Sequence, residues 1–210
     1  MNFITIKQSI IDILIAAEAG RYRTVGNQQQ TKAAEEVRNT KRQVAVYYSR
    51  GDFSKSSGRP TGPVQHDITF RIELTVSKSA NADLTVLNNP ASTPAQIATA
   101  LAAAQTAAEA ADQSMDEFWS IIYLELMDGR NVDMQLPVGT ISSRWIDSFQ
   151  KDEPRPRGDL VVLTGIANLT LRTAEQIPGE IGTPGANIIE KTLDIKDNIP
   201  NIAGTLTDNS

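Results

Sequence analysis

The stretch His66–Lys78, HDITFRIELTVSK, decides how this chain is read. Its even positions carry Ile68, Phe70, Ile72, Leu74 and Val76, and its odd positions carry Asp67, Thr69, Arg71, Glu73, Thr75 and Ser77. Side chains alternate between the two faces of a strand, so this pattern predicts a strand with one apolar face on a core and one polar face. Thirteen residues at ~3.3 Å each reach roughly 43 Å, well beyond the usual five or six residues of a strand. Upstream, Gln43–Arg50 places Val44, Val46 and Tyr48 on one side and reads as its antiparallel partner. Between them Gly51 to Gln65 is polar and rich in Gly and Pro, and long for a hairpin loop, which points to a projecting or functional segment.

Working outward, the N-terminal segment carries Ile6, Ile10, Leu14 and Ala17 at helical spacing, with Ile11, Ile13 and Ile15 widening the apolar face. Thr5 and Gln8 are spaced as a capping box, and Gly20 is a natural stop. Residues 21–40 are polar and read as a loop or short surface element. On the other side of the hairpin, Thr93, Pro94 and Gln96 open a helix through an alanine-rich run, Ala98 to Ala111. Ser114 with Glu117 predicts a second helix, nearly apolar all round, carrying Met115, Phe118, Trp119, Ile122 and Leu126. Further strands are expected from Val132–Leu136 or Ile141–Phe149, and from Asp159–Thr173. The latter sets Val161, Leu163, Ala167, Leu169 and Leu171 on one face. Lys151 to Gly158, KDEPRPRG, is expected to be an unpaired charged turn because Pro154 and Pro156 lack ladder donors. The fold class is α+β: an antiparallel or mixed sheet with a long hairpin, helices on one face, and an extended C-terminal arm. A domain over 1–177 is followed by that arm over 178–210, where Ile188, Ile189, Leu193 and Ile195 lie among polar residues.

Composition narrows the chemistry. The chain has 210 residues, 40% hydrophobic and 5% aromatic, with a net charge of −5 and no cysteine. Disulfides, thiolate catalysis and cysteine zinc sites are excluded. The mild charge gives no general attraction to nucleic acid or to a membrane surface, and no apolar run is long enough to span a bilayer. With no basic leader before the first helix, assembly in the cytoplasm is expected. The single histidine, His66, starts the long strand on its inward parity and reads as structural. Arg50-Gly51-Asp52 spells an adhesion tripeptide but is explained by turn geometry. Asp147, Asp152 and Glu153 are the carboxylates a divalent-cation-dependent hydrolase would use, weighed against a solvated turn also holding Lys151, Arg155 and Arg157. No catalytic, cofactor or metal residues are assigned, and no cofactor is expected.

What remains is shape: a polar strand face, a long loop and an apolar tail, features of a subunit that meets other subunits. Residues expected at such contacts are Arg50, Asp52, Lys55 and Arg59 near the loop and Arg71 and Glu73 on the outward strand face. Ile188, Ile189, Leu193 and Ile195 are expected to act from the tail.

The order of elements also resembles the tail-terminator (tail-completion) proteins of tailed bacteriophages. The similarity runs over about Met1 to Thr173, through the isoleucine-rich helix, RQVAVYYSRGDF, HDITFRIELTVSKSA, the alanine-rich then apolar helix, and WIDSFQKDEPRPRGDLVVLTGIANLTLRT. The resemblance implies a non-enzymatic virion protein that forms a hexameric ring, caps the tail tube and joins it to the head-completion or connector protein. A sheath contact would be a further role for the tail. Another neck or tube subunit is the alternative within the same class. No sequence-specific nucleic-acid recognition and no membrane partner are expected.

Overall fold

The computed structural model describes residues 2–25, 42–53 and 64–175. The predicted hairpin forms and is longer than the alternation indicated. β2 (Arg42–Phe53) pairs antiparallel with β3 (Val64–Ser79), from Arg42↔Val76 to Phe53↔His66. The strands therefore take up Gly51–Phe53 and Val64–Gln65, which the sequence reading assigned to the loop. A register shift between Tyr48 and Arg50 absorbs one extra residue, the usual effect of a β-bulge.

Among the described residues the sheet has six strands, with β1 (Arg23–Val25), β4 (Ile141–Lys151), β5 (Arg155–Arg157) and β6 (Leu160–Glu175) joining β2 and β3 in the order β1-β2-β3-β6-β4, and β5 also on β6. β6 (Leu160–Glu175) lies antiparallel to β3 along its full length, from Ser79↔Leu160 to Val64↔Glu175. β4 (Ile141–Lys151) follows on the far side of β6 with two register shifts. β1 (Arg23–Val25), inside a stretch expected to be loop or surface element, pairs parallel with Gln43–Ala45. Residues 26–41 fall outside the described set.

The charged segment after β4 departs from expectation in an instructive way. β5 (Arg155–Arg157) does pair with β6, placing Pro156 opposite Val161. A proline is tolerated there because β5 is bonded on one side only, so its missing N–H costs no ladder bond on the other. Gly158, at φ +63°, opens the two-residue turn Gly158–Asp159 that leads back into β6. That conformation favours glycine.

The two α-helices of the described residues cover one face of the sheet. α1 spans Asn2–Ala16, so Thr5 and Gln8 lie inside it rather than forming a cap. The Gln8 amide donates instead to Asp12, one turn on, at 2.9 Å. Ile6, Ile10, Ile11, Ile13 and Leu14 are buried, but Ile15 faces outward. The helix needs only one stripe against the sheet. α2 is one continuous helix, Pro94–Met127, where the sequence signals two. Its expected start is correct: Thr93 and Gln96 form a reciprocal capping box, with proline at the first position. The expected break at Ser114 does not occur. No glycine or proline interrupts 95–127, and the buried Ser114 hydroxyl accepts from the Arg42 guanidinium at 3.1 and 2.9 Å instead of capping a new helix. Residues 132–136 are not a strand. Met134 and Gln135 both adopt left-handed backbone, φ +50° and +56°, which a ladder does not accommodate.

The core lies between this sheet face and the helices. Ile68, Phe70, Ile72, Leu74 and Val76 of β3, with Leu163, Ala167, Leu169 and Leu171 of β6, meet Ile6, Ile10 and Leu14 of α1 and Met115, Phe118, Ile122 and Leu126 of α2. Burying a side chain such as Phe70 contributes about 1.5–3 kcal/mol. Polar groups lock the periphery. Tyr22 donates its hydroxyl to the Leu14 carbonyl at 2.8 Å, and burial together with nearby Glu125 pushes its pKa up to about 12. Lys151 binds Asp112 and Asp116 at 2.6 and 3.0 Å, tying the end of β4 to α2. Arg144 donates to the Asp128 and Asn131 carbonyls where α2 ends, neutralising exposed helix acceptors. Its desolvation lowers its pKa from the usual arginine range.

A second, smaller cluster joins the alanine-rich start of α2 to β6. Ala100 and Ala107 meet Val161, Ala80 and Leu84. Leu84 begins a short 3-10 turn, Leu84–Asn88, whose N-terminal amide donates to the Gly158 carbonyl at 2.8 Å.

Candidate functional site

The opposite face of the sheet carries the odd-numbered residues of β3 and their cross-strand neighbours, and the buried core clusters of the described residues lie on the helix-covered side. Register places Asp67, Thr69, Arg71, Glu73 and Thr75 of β3 beside Arg172, Thr170, Asn168, Ile166 and Thr164 of β6. Trp145 of β4 sits opposite Thr170, and Ser148 opposite Asn168.

Asp67, Thr69, Trp145, Asp147, Thr170 and Arg172 form one connected network across three strands, with two separate pairs beside it. Arg172 grips Asp67 through two donors, at 2.8 and 2.9 Å. Its guanidinium also lies 5.7 Å from the centre of the Trp145 ring, within range of a cation–π attraction. The Trp145 indole N–H donates to Asp147 at 2.6 Å. Asp147 also accepts from the Thr170 hydroxyl, which in turn lies 3.0 Å from that of Thr69. Asn168 donates to Ser148 at 3.1 Å, and Arg71 to Glu73 at 3.2 Å. The paired Arg172 guanidinium holds the Asp67 carboxyl below the usual carboxylate range. The network neutralises most of its own charge, so the face offers shape and aromatic surface rather than a strong field. Trp, Tyr and Arg are the residue types enriched where proteins bind one another. Here Trp145, Arg71, Arg172 and Tyr47 occupy one sheet face.

Gln43 departs most from this self-sufficiency, and the buried Arg71 Nε is also without a hydrogen-bond partner. Gln43 is 2% exposed, and neither its amide nitrogen nor its amide oxygen has a hydrogen-bond partner. Such a group costs about 1–3 kcal/mol.

The sequence-predicted contact residues divide into three groups. Arg71 and Glu73 lie on this face and pair with each other, as their parity required. Arg50 and Asp52 lie exposed on the distal part of β2 and form an ion pair at 3.1 Å. The two ends of the Arg-Gly-Asp tripeptide are thus joined to each other within a strand. Lys55, Arg59, Ile188, Ile189, Leu193 and Ile195 lie outside the described residues. The three weighed carboxylates are dispersed. Asp147 belongs to the open-face network, while Asp152 and Glu153 are exposed between β4 and β5. Among the described residues no three His, Cys, Asp or Glu groups are placed to hold a metal ion. His66 is buried on the inward side of β3.

Sequence reasoning missed Trp145, Asp147 as its partner, and Arg172 as the link between strands. Parity along β6 puts Arg172 on the outward face but does not give its partner. Parity along β4 does not place Trp145 and Asp147, because its register shifts at Ile141/Ser143 and Ile146/Ser148 break the alternation.

Among the described residues no helix is long and apolar enough to cross a membrane. Neither the protein-family models nor the curated proteins contain a match to this chain.

Proposed function

We propose that this chain is a structural assembly protein that works as a ring, as a tail terminator of a tailed bacteriophage does, capping the tail tube and joining it to the neck. The observation that carries this reading is the contrast between the two faces of one long sheet. Among the described residues both α-helices lie on one side, and the other side presents an aromatic and arginine-bearing polar surface over strands of 12 and 16 residues. A monomer's core needs neither the extra strand length nor that surface, whereas a subunit interface uses both. The resemblance over Met1 to Thr173 supports the same reading. The mechanism is surface complementarity: one side of the ring matches the last ring of the tube, the other the connector. A ring needs a heterologous contact, with different patches meeting on successive copies. The open sheet face and the distal hairpin, with Arg50 and Asp52, supply two such patches.

Native mass measurement with and without assembled tail tubes tests it. A closed oligomer that binds tube ends is expected. A strict monomer that ignores tubes would sink the proposal, and growth into long tubes would point to a tube subunit instead.

A further inference from the structure

At the head of α2 lies a groove of about 340 Å³ between the helix and the 3-10 turn, lined by Val86, Ala95, Thr99 and Ala100 among others. Beside it on the same helix, Ile97 and Leu101 are exposed. Residues 94–108 of this helix carry no charge. A surface helix normally turns a charged face to water, so this end of α2 is built to be covered.

The chain's own composition narrows what covers it. Three stretches lie outside the described residues. Residues 26–41 contain one large aliphatic, Val37, and residues 54–63 contain none. Residues 176–210 contain Ile177, Ile181, Ile188, Ile189, Leu193, Ile195, Ile199, Ile202 and Leu206. In Thr192-Leu193-Asp194-Ile195-Lys196 the apolar residues alternate with polar ones, so an extended segment can turn Leu193 and Ile195 to one side.

Reach then separates a chain's own groove from a neighbour's. β6 starts at Leu160, next to the groove through Val161, and ends at Glu175. Its 16 residues span roughly 50 Å at ~3.3 Å per step. The segment therefore leaves from the opposite end of the molecule. Eighteen residue steps lead from Glu175 to Leu193, and the first ten residues after Glu175 include Pro178, Gly179, Gly182, Pro184 and Gly185. A coil of that length has a typical span of about 23 Å, and spanning 50 Å would require it to be nearly fully extended.

We infer that residues 188–195 of one copy dock in the α2-head groove of the next copy, with Leu193 and Ile195 as the apolar anchors. This rests on the ring reading above and adds a second contact between successive subunits, beside the one assigned to the open sheet face and the distal hairpin. Tail and groove are different patches, so the exchange is head-to-tail, the geometry that closes a ring.

The absence of native cysteine gives a clean test on the full chain. A Thr99→Cys chain is mixed with an isotope-labelled Leu193→Cys chain and oxidised gently. The expected product is a covalent heterodimer identified by mass. A second full-length variant, Leu193→Asp with Ile195→Asp, should lower the native mass of the oligomer while leaving its circular dichroism unchanged. If the native mass shows an oligomer but no heterodimer forms and the double variant keeps that mass, the docking is wrong and the ring reading stands. A full chain that is monomeric overturns both.

Discussion

The two faces of β3 share a backbone and differ in everything else. On one, Ile68 to Val76 lie beneath two helices with almost no exposure. On the other, Asp67, Arg71 and Glu73 are partly exposed and spend their charges on one another and on Arg172. The first face is held by apolar area removed from water, which is large and non-directional. The second is held by directional contacts that add little to monomer stability and instead define a surface. One strand thus separates folding from recognition by residue parity.

The sharpest way to break this comparison is on the covered face. Phe70→Ala should destabilise the fold by about 3–5 kcal/mol, read as a lower denaturation midpoint with an unchanged slope. A loss no larger than that of an open-face substitution would contradict the assignment of the core. Gly165→Ala comes next. A Cβ there would meet the Phe149 ring at 2.8 Å and the Met115 sulfur at 3.1 Å. Phe149 is itself stacked on Trp119, with ring centres 4.3 Å apart, and has little room to retreat. A cost of about 1–3 kcal/mol is expected, reduced when Phe149→Leu is added, which denaturant titration of both variants would measure.

On the open face the signature should invert. Trp145→Ala should weaken self-association or tube binding at least tenfold, about 1.4 kcal/mol, in sedimentation measured beside a denaturation curve. Its effect on the fold should stay below that of Phe70→Ala. An unchanged association constant would remove Trp145 from the surface.

The smallest expected effect is pH-dependent. Arg172 depresses the folded-state pKa of Asp67, so the pair's contribution is present above the ordinary carboxylate range, about pH 4. It is lost as pH falls through the lower folded value. Asp67→Asn should therefore be slightly less stable than the parent at neutral pH, and the gap should close below about pH 4. A gap that persists in acid would mean that packing, not ionisation, joins these strands.

How far the sequence carried depended on whether local periodicity was intact. Alternation in β3 was unbroken and β6 kept an apolar parity, so the pairing of β3 with β2, the inward faces of β3 and β6 and the sidedness of the helices were legible, whereas the placement of β6 beside β3 was not. The Thr93–Gln96 cap was legible because it is a contact within one turn. Predictions failed where a distant partner outweighed a local signal. Ser114 looks like a cap until Arg42 of β2 occupies its hydroxyl. Arg155–Arg157 looks unpairable until β6 offers a one-sided edge.

The sequence by itself determined that this chain makes a long two-faced hairpin with helices to cover one face, since parity and helical spacing are properties of neighbouring residues. Only the tertiary structure decided what the other face is. Asp67, Thr69, Trp145, Asp147, Thr170 and Arg172 come from three strands, and the bulges in β4 set which of its side chains join them. A network whose members lie up to 105 positions apart is created by strand register, and register is settled only when the sheet assembles.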